Sequence, residues 1–159
     1  MPNSWSNVEG AIHSQPKSTD GGIRTRETFK SFEFEFEWKV PPKGNSGVKY
    51  RIFYLTRTDA AGSEYQVSDD SGDRGAIEHP TQRAGALYNQ IAPGKAVAKP
   101  LGEFNQSKIV VRGRRTEHWL NGENVVEYET ESNPLESPIL LQNHGTEIWY
   151  RNLRIRRLD

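Results

Sequence analysis

The stretch Phe32–Val40 reads F-E-F-E-F-E-W-K-V. Apolar and charged residues alternate without a break. Side chains on a strand point to opposite faces in turn, so Phe32, Phe34, Phe36, Trp38 and Val40 share one buried face. Glu33, Glu35, Glu37 and Lys39 then form the opposite, solvated face. A helix would scatter these rings around its circumference. Pro41-Pro42 ends the strand, because proline brings no ladder donor.

Working outward, shorter runs repeat the pattern. Gly47–Leu55, Glu64–Ser68, Lys108–Gly113 and Pro138–Gln142 read as strands, as does the closing run Ile148–Leu158. Between Arg114 and Glu129 lies a hairpin pattern turning at Asn121-Gly122, a pair suited to a two-residue turn with positive φ at both positions. Nowhere does a 3.6-residue period hold for three turns. Many short strands between Gly, Pro, Asn and Asp predict an all-β sandwich or barrel, over residues 1–159 as a single domain. The irregular stretch Asp69–Pro100 is long for a compact domain, and such loops usually carry function.

Composition narrows the function classes. Lys plus Arg and Asp plus Glu are each 21, giving a formal net charge of zero. A nucleic-acid binder working by bulk electrostatics carries a basic excess, so that class is set aside. The basic run Arg151–Arg157 alternates with Leu153 and Ile155 and reads as a solvated strand face. There is no cysteine, which excludes thiol catalysis, disulfides and cysteine metal sites. No apolar run is long enough to span a bilayer. The first ten residues, M-P-N-S-W-S-N-V-E-G, show neither the basic region nor the apolar core of a signal peptide.

Strand phase separates candidate ligand contacts from core. Val48, Tyr50, Ile52, Tyr65 and Val67 read as core. Lys49, Arg51, Glu64, Gln66 and Ser68 then face the other way, and on neighbouring strands Arg51, Glu64 and Gln66 would share a polar surface. Plainer roles stand beside these. Glu64 and Arg51 pair as a surface ion link, Asp69-Asp70 starts an Asx turn, and His144 satisfies backbone groups in an N-H-G turn. Tyr88 fits a core ring with its hydroxyl at the surface, and Trp119 and Trp149 read as core rather than as sugar platforms. Glu33, Glu35 and Glu37 have the alternate spacing of a retaining glycosidase pair, but no accompanying Trp-Asp signature, and read as a solvated face.

Seven motifs occur in order: N-S-G-V (Asn45–Val48) with Arg51, E-Y-Q-V-S-D (Glu64–Asp69), A-G-A-L-Y (Ala84–Tyr88), A-K-P-L-G-E-F-N (Ala98–Asn105), H-W-L-N-G (His118–Gly122), L-Q-N-H-G (Leu141–Gly145) and Y-R-N-L-R-I (Tyr150–Ile155). In this order the chain resembles the 3-keto-disaccharide hydrolase domain family. Phe104 stands where the family usually has Trp, and Glu127–Ser137 is short. The resemblance implies a concanavalin A-like jelly roll of two antiparallel sheets and a periplasmic or secreted setting. It also implies chemistry on a carbohydrate already oxidised at C3, such as an oxidised disaccharide or glycoside. A 3-keto group acidifies the C2 hydrogen, so cleavage needs a base, an acid near the leaving oxygen and donors to the developing enolate. Glu64 and Asp69 are the expected proton-transfer groups, with Arg51 or His144 stabilising the oxyanion. Asn45, Gln66, Tyr88, Lys99, Asn105 and Gln142 are the expected substrate contacts. No motif calls for a cofactor. Scattered Asp and Glu are compatible with calcium, though no ligand-spaced loop is present. The competing class is a non-catalytic carbohydrate-binding module, which would present an aromatic platform on an open face.

Overall fold

The structure, a computed structural model, describes residues 4–18, 20–71 and 78–159. The strands are β1 (Trp5–Val8), β2 (Ala11–Ser14), β3 (Ile23–Arg24), β4 (Phe32–Lys39), β5 (Asn45–Leu55), β6 (Ala60–Ser68), β7 (Asn105–Arg112), β8 (Arg115–Leu120), β9 (Glu123–Glu129), β10 (Leu140–Leu141) and β11 (Ile148–Arg157). They form a seven-stranded sheet in the order β1-β2-β11-β4-β7-β8-β9 and a four-stranded sheet in the order β3-β10-β5-β6. Every pair is antiparallel. The expected all-β sandwich is what the chain forms.

β4 sits at the centre of the larger sheet, between β11 and β7. Its Phe32, Phe34, Phe36 and Trp38 are buried and join Val48, Tyr50, Tyr65, Val67 and Leu141 of the smaller sheet in one core cluster. The Phe36 and Tyr65 rings meet edge to face across the sheets at 5.4 Å. The polar tips of Trp38 and Tyr65 inside this core are paired, as burial demands. Trp38 Nε1 donates to Ser107 Oγ at 2.8 Å, and the hydroxyls of Ser107 and Tyr65 lie 2.7 Å apart. On the outer face Glu37 and Glu33 meet Arg151 and Arg156 of β11. The glutamate stripe and the basic C-terminal run are therefore the two halves of one solvated ion ladder.

Three outcomes differ from expectation. β1, β2 and β3 were not anticipated; they are short and polar, and they gain order by pairing with β11 and β10. Trp119 and Trp149 are not core. Strand alternation puts Thr116, His118 and Leu120 inward and leaves Trp119 outside, and likewise Ile148 and Tyr150 inward and Trp149 outside. Trp149 stacks on His13 at 4.9 Å, with Lys39 over its ring. Finally, β5 carries a bulge between Tyr50 and Tyr54, which re-aims Arg51. The Asn121-Gly122 turn is as expected, with φ of 49° and 83°.

Candidate active site

The smaller sheet builds the site. On β5, Ser46, Val48 and Tyr50 are buried toward the core, so Asn45, Gly47 and Lys49 face outward. On β6, Tyr65 and Val67 point inward and Glu64, Gln66 and Ser68 outward. The register sets Lys49 opposite Glu64, Gly47 opposite Gln66 and Asn45 opposite Ser68. On the other side of β5, Gln142 N donates to Gly47 O at 2.9 Å, which brings the chain just after β10 alongside. A Cβ added at Gly47 would lie 2.5 Å from Glu64 Oε1 and 2.5 Å from Gln142 Oε1. The missing side chain is what lets these two groups meet.

They meet in a defined order. Gln142 Nε2 donates to Glu64 Oε2 at 3.0 Å, and Gln142 Oε1 lies 2.9 Å from His144 Nε2. An amide oxygen only accepts, so the imidazole proton sits on Nε2 and the Nδ1 lone pair is left open. Lys49 Nζ stands 3.7 Å from Glu64 Oε2 and donates to Ala60 O. Glu64 is only 8% exposed. Burial raises its pKa, against the opposing pull of Lys49 and the Gln142 hydrogen bond. Burial, then the Lys49 charge, lowers the pKa of His144 and favours the neutral ring. A pocket of about 240 Å³ opens beside the group, lined by Lys49, Thr56, Asp59, Leu140, Gln142 and His144.

Gln66 Nε2 donates to Asn45 Oδ1 at 3.0 Å, while Gln66 Oε1 is buried without a donor. The segment Ala84–Tyr88 runs beside β6: Gln66 N donates to Ala86 O, and Tyr88 N to Glu64 O. Tyr88 thus reaches this neighbourhood through its backbone.

Other expected site residues lie elsewhere. Arg51 does not join Glu64, because the bulge turns it away: its φ is 48° and its Nη2 donates to Gly113 O at 2.7 Å in the larger sheet. The Glu64 ion partner is Lys49 instead. Asp69 accepts from Lys43 N through Oδ2 and from Ser71 N and Oγ through Oδ1, an Asx turn. With Lys99 and Asn105 it lines a separate pocket of about 320 Å³ that shares no residue with the one beside Lys49 and His144. Asn105 Oδ1 accepts from Lys99 N and Asn121 Nδ2, so it holds loops together. Lys49 and Gly47 were not singled out as site residues; the alternation that placed Lys49 outward was their available signal. Among the described residues no group of three His, Asp or Glu is placed to hold a metal ion, and no helix is long and apolar enough to cross a membrane.

The chain is a jelly-roll sandwich whose smaller sheet carries a buried carboxylate and amide, Glu64 and Gln142, in line with the exposed His144 imidazole. Within that class the chain belongs to the family of 3-keto-alpha-glucoside-1,2-lyase-like domains, which matches residues 1–156. A relative named 3-keto-disaccharide hydrolase, from Bacteroides thetaiotaomicron, is 29% identical, aligned over all of this chain and 72% of its own length. A Parabacteroides distasonis protein provisionally described as a glycosyl hydrolase superposes with a TM-score of 0.85 at 26% identity, over 99% of this chain and 84% of that one. The carbohydrate-binding module CBM66 from Bacillus subtilis shares the fold alone, with a TM-score of 0.63 at 12% identity over 96% of this chain and 90% of that one.

Proposed function

We propose that the chain cleaves the glycosidic bond of a 3-keto-glycoside at the cluster around Glu64. Glu64 removes the C2 proton, which the adjacent ketone acidifies, and the electron pair moves into the C3 enolate. The Lys49 ammonium stabilises that negative charge. Collapse of the enolate restores the C3 ketone, forms the C1–C2 double bond and expels the C1 substituent, which takes the proton held by Glu64 as it leaves. Water then adds across the double bond, its oxygen to C1 and a proton to C2, and the net reaction is hydrolysis. His144, neutral with Nδ1 open, accepts the proton of that water. Gln142 holds Glu64 and His144 at a fixed separation. Asn45, held by the Gln66 amide, orients a sugar hydroxyl.

The observation that carries this reading is the burial of Glu64 in contact with Lys49 and Gln142. A general base works best with a pKa lifted toward the operating pH, and burial lifts this one. Asp69, fixed by backbone donors, and Arg51, turned away, have no part in it. The binding-module reading needs an open aromatic platform. Trp149 is flanked by His13 and Lys39, and Trp119 has Lys108 over its ring, so neither offers one. The test is incubation with 3-keto-trehalose and 3-keto-lactose. Released monosaccharide is expected from the wild-type chain and a loss of at least about 100-fold in Glu64→Gln. Full activity in that variant would remove Glu64 as the base.

A further inference from the structure

Arg51 is a buried cation without a counter-charge. β5 bulges between Tyr50 and Tyr54, and Gly62 faces the bulge so closely that an added Cβ would lie 2.8 Å from Tyr50 O and 2.9 Å from Arg51 O. The bulged backbone swings the Arg51 side chain across to the larger sheet, where Nη2 donates to Gly113 O at 2.7 Å. The residue is only 8% exposed, and its Nε and Nη1 are buried without an acceptor. Among the described residues no carboxylate pairs with it. A guanidinium cannot shed its proton to escape this cost, and a buried charge is normally paired.

Arg51 is also one of the residues lining a pocket of about 550 Å³, with Phe53, Ser63, Leu87, Tyr128 and Leu135. This is the most roomy of the described pockets, and it shares no residue with the one beside Glu64. Its otherwise largely polar wall carries two exposed apolar side chains: Phe53 is 76% exposed and Leu135 40%. An unpaired positive charge thus lies beside the pocket, and an uncovered aromatic ring stands in its wall. Glu129 also lines the pocket, but on its exposed side.

We propose that this pocket is a second ligand site, for a small organic oxyanion. The carboxylate or phosphate of the ligand lies toward the uncompensated Arg51 charge, and its apolar side lies on Phe53 and Leu135. A charge-assisted contact at a buried guanidinium is strong and selective for oxyanions. The site stands whether or not Glu64 is the catalytic base.

The test titrates the whole chain with benzoate, phenyl phosphate and neutral benzyl alcohol by calorimetry. The two anions are expected to bind at least about ten-fold more tightly than the alcohol, since a hydrogen bond to a charged group is worth that much. Benzoate binding more tightly identifies a carboxylate ligand, and phenyl phosphate binding more tightly a phosphate; either supports the site. Arg51→Lys should weaken anion binding about ten-fold. Phe53→Ala, at an exposed position, should weaken it several-fold with an unchanged unfolding midpoint, and it decides the matter if Arg51→Lys does not fold. Glu64→Gln should bind the anions as the wild type does, which separates this site from the other. Absence of anion binding, equal binding of the alcohol, or anion binding unchanged by Phe53→Ala would overturn the proposal.

Discussion

Glycine at position 47 leaves the outer face of β5 bare between Asn45 and Lys49, and Glu64 and Gln142 close over the gap. The neighbours of an added Cβ are the far ends of those two side chains, so they and not the backbone must move. Gly47→Ala is therefore expected to fold with a stability change below about 1 kcal/mol while turnover falls at least ten-fold, a split read from urea unfolding beside initial rates. Unchanged rates would mean that the meeting of Glu64 and Gln142 is unimportant. Strand phase made Glu64, Gln66 and Lys49 legible, because one period-two decision orients a whole strand. The same rule misplaced Arg51. Its orientation depends on two extra residues in β5 and on Ser137 Oγ, which accepts from Ile52 N within the bulge. Neither feature has a local sequence signal. Asp69 illustrates the opposite limit: its Asx turn was legible as one of two readings, and only the donors at Lys43 and Ser71 separate them.

At the scale of elements, β4 and the β8–β9 hairpin were plain in the sequence because each carries its own instruction. β4 has unbroken alternation, and the hairpin has a turn pair that only tolerant residues fill. At Gly122, φ is 83° and no atom lies within 4 Å of an added Cβ. Gly122→Ala therefore isolates backbone strain, and a loss of roughly 1–2 kcal/mol is expected from chemical unfolding. Unaltered stability would show that the turn relaxes to another form. β1, β2 and β3 carried no such instruction. W-S-N-V and A-I-H-S are too short and polar to stand alone. They form because β11 offers an unpaired edge, and because Glu9 and Gly10 adopt the positive φ of 50° and 81° that a tight hairpin needs. Trp119 and Trp149 were misjudged for a related reason. Large rings suggest core, yet alternation from the buried His118 and Ile148 fixes them outside, where cations and His13 cover their faces.

Across the whole molecule, the two sheets are tied by a polar chain through the core as well as by apolar packing. His118 is fully buried, with Nδ1 2.9 Å from Gly85 O and Nε2 2.7 Å from Tyr50 Oη, and Tyr50 continues to Tyr128 Oη at 3.0 Å. A carbonyl only accepts, so Nδ1 carries the proton and Tyr50 donates to Nε2. Burial lowers the His118 pKa from 6.5 to about 4. Below pH 6.5 the unfolded chain takes up a proton that the folded chain refuses, so stability falls with pH down to about 4. The loss amounts to about 3 kcal/mol. Glu64 and Asp70, whose pKa values burial raises, act in the opposite sense, but they are common to a comparison with His118→Asn. Urea midpoints at pH 7 and 4.5 should fall more steeply for the wild type than for the variant; equal slopes would contradict a neutral core histidine. The sandwich and the family were legible because patterning and motif order span the chain. The site was legible only in part, since its assembly depends on which strands become neighbours. Proton abstraction at C2 is the step on which the functional account rests, and turnover of a 3-keto-disaccharide in deuterium oxide tests it most directly. The account predicts deuterium at C2 of the released 3-keto sugar, above the enzyme-free exchange rate and lost in Glu64→Gln; product that keeps its original C2 hydrogen would contradict it.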